Sequence, residues 1–83
     1  MSSIQVFRKP KKSEVDKVKS AFAQAIYDKR VAAGISQETL AQIAGVDRKT
    51  INRIENGHFS PNLETVIRLT IVLKLETNKY LKV

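Results

Sequence analysis

Arg48, Lys49 and Asn52 fall within five consecutive positions, and no acidic residue stands between them. A guanidinium, an ammonium and a side-chain amide in such proximity make and break no covalent bonds. Their chemistry is recognition, by donating hydrogen bonds to anions and to the edges of planar bases. Arginine pairs bidentately with guanine O6 and N7, and asparagine with adenine N6 and N7, each pair giving about 1–3 kcal/mol of discrimination. From Arg48 to Asn56 only Ile51 and Ile54 are apolar. The segment therefore reads as a helix with a narrow inward edge and a polar front, the form a helix needs to enter a groove. Arg48, Lys49 and Asn52 lie on that front. Thr50 offers a methyl contact or a phosphate bond, and Arg53 points to the flank. The bland alternative for each cation is a solvated surface charge.

Two helices and a turn must hold that front in place. Ser36 is a predicted cap for a helix over Gln37 to Ala44, with Leu40, Ile43 and Ala44 as its apolar face and Gly45 closing it. Asp47 is a predicted cap for the next helix, from Arg48 to about Asn56, which Gly57 closes. Leu40, Ala44, Ile51 and Ile54 are the inward positions of the pair, and Ala41 is small where the second helix must cross the first. Gly45 supplies a positive φ, which residues with a side chain adopt at a cost. Such a corner is a helix-turn-helix, whose second helix lies in the major groove. Gln37 opens the first helix, where free N–H groups and the helix dipole attract a phosphate. Asn56, with the amides of Gly57 to Ser60, is the matching clamp at the other end. His58 is a loop residue with an optional phosphate contact.

The flanks are read from their own signals. Residues 1–12 form a basic arm: Ile4 to Phe7 is β-prone, and Pro10 among lysines blocks helix. Arg8, Lys9, Lys11 and Lys12 account for four of the seven net positive charges, and no acid accompanies them. Ser13 with Asp16 resembles a capping box, opening a helix of about 20 residues with Val15, Val18, Phe22, Ala25 and Ile26 as its stripe. It ends near Ala33, before Gly34. Asn62 caps a fourth helix, Leu63 to about Lys74, whose β-branched residues make packing rather than propensity its support. The stretch 77–83 reads as one helical turn capped by Thr77, with a short strand against Ile4 to Phe7 as the other reading. Together these predict an all-α, compact bundle of four to five helices over residues 13–83, with the corner at 37–57.

Composition narrows the partner. A chain of 83 residues with 42% apolar and 28% charged residues makes one small domain. A net charge of +7 favours a polyanion, either nucleic acid or an anionic membrane surface. The longest apolar run is Ile71 to Leu73, far short of the roughly 20 residues of a spanning helix, and the first nine residues hold no secretion-signal stretch. There is no cysteine and one histidine, which excludes disulfides, thiolate sites and a zinc cluster. The expectations are a cytoplasmic protein, not an enzyme, with no cofactor, no metal, no membrane partner and no evident small-molecule ligand.

The motifs add a resemblance. Gly34-Ile35-Ser36-Gln37-Glu38-Thr39-Leu40-Ala41, then Ala44-Gly45-Val46, then Thr50-Ile51-Asn52-Arg53-Ile54-Glu55-Asn56-Gly57, then Pro61, resembles the Cro/cI-type helix-turn-helix family of phage repressors. The likeness covers Ala25 to Leu75. It implies a lambda-repressor-like bundle that binds double-stranded operator DNA, usually as a dimer. It further implies base reading at Arg48, Lys49 and Asn52, backbone contact by Gln37 together with support of the reading helix, and a structural ion pair of Arg30 with Glu55 that fixes the third helix to the first.

Two features depart from that pattern. The arm precedes an early first helix, so Lys9, Lys11 and Lys12 either wrap the duplex or form a tail that only raises the charge; a dozen extended residues reach about 40 Å. Ile71 and Val72 stand where the family more often has a polar and a small residue. They suggest a second buried surface, for a homodimer through the fourth helix or for packing on the first. The leading expectation is a dimeric repressor. The alternative is an antitoxin-type protein that binds a partner toxin and represses its own operon with the same corner.

Overall fold

The computed structural model describes residues 7–58 and 60–81, and the β-prone Ile4 to Val6 lie outside them. Five helices follow in order: α1 Lys12–Ala32, α2 Gln37–Ala44, α3 Arg48–Glu55, α4 Leu63–Leu73 and α5 Thr77–Tyr80. The stretch read as turn or strand is thus a turn of helix through Tyr80. α1 packs against α3, α4 and α5, and α2 against α3 and α4. The shared core is Phe22, Ala23, Ile26, Leu40, Ala41, Ala44, Ile51, Ile54, Leu69, Leu73, Leu75 and Tyr80. The four inward positions expected of the corner are all in it. The Phe22 and Tyr80 rings meet at 5.1 Å between centroids, tilted by 58°, which docks α5 on α1.

The helix starts differ from expectation in instructive ways. α1 begins at Lys12, and Ser13 does not cap it. Glu14 supplies the acceptor instead: its Oε1 takes the Lys11 N–H at 2.9 Å and Arg8 Nη1 at 2.6 Å. Asp16, expected to complete a box with Ser13, pairs with Lys12 at 3.0 Å. Ser36 and Asn62 do cap, accepting from the amides of Thr39 at 3.0 Å and Thr65 at 2.8 Å. Asp47 stands at the start of α3 with no side-chain cap bond; its carbonyl takes the Thr50 and Ile51 amides, as any residue's would. α5 is preceded by Glu76, so Thr77 is its first residue rather than its cap.

Two positions expected on the apolar faces of α1 and α2 turn outward. Ile43 is exposed and Ala41 buried in its place, because an eight-residue helix wedged between α3 and α4 has its crowded side at Leu40, Ala41 and Ala44. Val15 is exposed as well, since α1 reaches past the core at its N-terminal end. Among the described residues, no helix is long and apolar enough to cross a membrane.

Candidate nucleic-acid interface

α3 buries Ile51 and Ile54 completely or nearly so, and this rotation sets everything else on the helix. Arg48, Lys49, Asn52 and Arg53 are exposed, and Thr50 is half-buried. Gly45 holds the turn at φ +74°, with its N–H on the Ala41 carbonyl at 2.9 Å. The turn is also gripped from α4. Arg68 Nη1 donates to the Ala44 carbonyl at 3.1 Å while Glu64 accepts from its Nε at 3.1 Å. A Cβ on Gly45 would stand 2.9 Å from that Nη1, so an added methyl would displace the flexible end of Arg68. Arg68 was not singled out from the sequence; its only signal there is Glu64 one turn earlier.

Behind α3 lies the ion pair. Arg30 donates from Nε to Glu55 Oε2 at 2.7 Å and from Nη2 to Oε1 at 3.0 Å, with Nη1 on the Ile35 carbonyl at 2.9 Å. The side chains are 13% and 5% exposed. The hydrogen bonds that Arg30 donates to Glu55 raise its pKa above the ordinary value. The guanidinium also lies 5.6 Å from the Tyr27 ring centroid. This arrangement pins α3 to the end of α1 and keeps the one carboxylate of α3 away from the polar front.

Gln37, read from the sequence as a backbone contact that also supports the reading helix, is bonded to α3 at both ends of its amide. Its Nε2 donates to Glu55 Oε1 at 3.0 Å, and its Oε1 accepts from Asn52 Nδ2 at 3.3 Å. Asn52 Oδ1 in turn accepts from Asn56 Nδ2 at 3.2 Å. Three residues expected to touch DNA thereby form one chain with the ion pair. His58 is exposed, its N–H on the Arg53 carbonyl at 3.0 Å. It lines a cleft of about 470 Å³ with Lys12, Lys19 and Ser60, which brings the base of the basic arm beside the loop after α3.

Elsewhere the expected groups separate. Arg8, Lys9, Lys11 and Lys12 are all exposed, Arg8 and Lys12 in ion pairs with Glu14 and Asp16. Ile71 and Val72 do not share a face: adjacent helical residues lie about 100° apart, and Val72 packs on the core of its own chain. The outward partners of Ile71 are Ile67 and Leu63, one and two turns back. These three are 69%, 48% and 73% exposed and make an apolar ridge along α4.

Comparison with known proteins places this geometry in a class. A helix-turn-helix family model matches residues 26–79. The chain belongs to the helix-turn-helix family, in its Cro/cI-type branch. It is similar to the ImmF control region 10 kDa protein of Bacillus phage phi105, 34% identical over 53 residues, which are 64% of this chain and 59% of the relative. An uncharacterized helix-turn-helix-type transcriptional regulator of Haemophilus influenzae is 39% identical over 49 residues, 59% of this chain and 50% of that protein. The chain thus spans between half and three fifths of the length of these two relatives. Among solved structures, the restriction-modification controller protein C.AhdI from Aeromonas hydrophila superimposes with a TM-score of 0.66 at 32% identity, covering 75% of this chain and 94% of that one.

Proposed function

We propose that this protein is a sequence-specific, double-stranded DNA-binding transcriptional regulator, a homodimeric repressor that reads the major groove with α3. The observation that carries the reading is the rotation of α3, with Ile51 and Ile54 sealed in the core and Arg48, Lys49 and Asn52 outward. Arg48, Lys49 and Asn52 are the base readers. Gln37, Thr50, Arg53, Asn56 and His58 hold the backbone, joined by Lys9, Lys11 and Lys12. The ridge of Leu63, Ile67 and Ile71 supports dimerisation; of the two residues expected at the interface, Ile71 lies on it and Val72 packs on its own core. The relatives' names, a phage control-region protein and a restriction-modification controller, agree with work at a promoter.

Phosphate contacts should dominate affinity, with a log–log salt slope of about −0.9 for each phosphate neutralised. Selection of bound sequences from random duplex DNA tests the reading directly. A palindromic consensus with half-sites roughly 34 Å apart is expected of a dimer. No binding even in dilute salt would overturn the proposal.

A further inference from the structure

The chain of bonds behind the polar front has a direction, and the direction originates at Glu55. A carboxylate accepts hydrogen bonds and donates none, whereas a side-chain amide has one accepting and one donating end and can be turned over. Glu55 Oε1 faces Gln37, so the end of Gln37 that meets it must be Nε2, here at 3.0 Å. Gln37 then presents Oε1 to Asn52, which must answer with Nδ2, at 3.3 Å. Asn52 is left with Oδ1 on its other side, where Asn56 Nδ2 donates at 3.2 Å. Turning over any one of these amides would set oxygen against oxygen or N–H against N–H. One buried acid, bolted to Arg30, thus dictates the orientation of three amides, the last two of them on the exposed surface.

We propose that Glu55, acting through Gln37, is a specificity-determining positioning residue that fixes which end of the Asn52 amide meets the base edge. The inference rests on the proposed reading of bases by Asn52. With both internal bonds made, Asn52 keeps one N–H and one lone pair, the set that adenine N7 and N6 require. Its orientation is decided before DNA arrives. An amide turned over would oppose both adenine groups; at guanine it would reach O6 with Nδ2 but set Oδ1 against N7. Glu55 contributes to the choice of base without touching DNA.

The test compares Asn52→Ala, Glu55→Gln and Gln37→Met in the full chain, by selection from random duplexes and by NMR of the side-chain amides in the free protein. Asn52→Ala identifies the base pair that Asn52 reads. Glu55→Gln replaces the fixed acceptor by a group that can turn over. It should lower the preference for adenine at that same base pair by about tenfold and shift the Asn52 side-chain amide signals. Gln37→Met leaves the Arg30–Glu55 pair in place and removes the middle link. It should reproduce both effects, and it remains informative if Glu55→Gln does not fold. Uniform weakening of binding on all sequences by Gln37→Met, with the base preference intact, would overturn the inference, as would unchanged Asn52 amide signals. An Asn52→Ala protein with unaltered preference would instead sink the base-reading proposal, leaving the NMR result to judge the orientation of the amides.

Discussion

At the scale of single residues, Glu55 and Arg53 make an informative contrast. They are two positions apart on α3, but one is sealed against Arg30 and the other stands in solvent. Removing one member of a buried pair strands the other charge, at a cost of about 3–5 kcal/mol. Exposed substitutions away from such features usually stay within about 0.5 kcal/mol. Urea denaturation should therefore show a large loss for Glu55→Ala and almost none for Arg53→Ala; the reverse order would dismiss the pair as the link between α1 and α3. The pairing of Arg30 with Glu55 was legible in advance because a family resemblance carried it. The resemblance also carried a supporting role for Gln37, but its particular bonds to Glu55 and Asn52 were not legible, since they depend on how closely α2 and α3 approach, which neither helix encodes alone.

At the scale of elements, the N-terminus of α1 and the turn of the corner each make a measurable claim. Arg8, and after it the Lys11 N–H, hold the Glu14 carboxyl at about 2, below its ordinary 4.5. A depressed carboxyl stabilises the fold above its unfolded pKa, so this contribution is complete above about pH 4.5 and disappears as pH falls through 2. Carbon-13 NMR should place the Glu14 midpoint near 2, and Arg8→Ala should move it back toward 4.5. An unmoved midpoint would show that Arg8 does not hold the first turn.

At the corner, Gly45→Ala should cost about 1–2 kcal/mol from the left-handed backbone, with a further loss as Arg68 is pushed off the Ala44 carbonyl. That second part should vanish in an Arg68→Ala background, and a thermodynamic cycle would measure it. Four of the five helices could be read from caps, glycines and apolar spacing, because those signals are local; 77–83 stayed open between turn and strand, because the ring contact of Tyr80 with Phe22 that docks α5 is made with a distant helix. The outward turn of Ile43 and the reach of Arg68 could not, because α4 decides both from 20 or more positions away.

At the scale of the whole molecule, the ridge on α4 is an apolar surface that a single copy leaves exposed. Leu63, Ile67 and Ile71 lie outside the core, so charge placed there should leave the monomer fold unharmed. Ile67→Arg with Ile71→Arg is expected to convert a dimer into monomers in sedimentation, with little change in helical content, and to weaken binding to a palindromic site. A dimer that persists would move the interface elsewhere. A tight complex with a different protein, surviving purification, would favour the antitoxin-type reading. Between this ridge and α5 the chain turns through Lys74, a lysine at φ 53°. Glycine visits that region freely, and relief of about 1 kcal/mol corresponds to roughly 4–8 °C in the melting temperature of a domain this small. Lys74→Gly should thus toughen the protein against heat at a residue outside the proposed groove-facing set, offering a hardened background in which damaging substitutions elsewhere can still be purified and assayed.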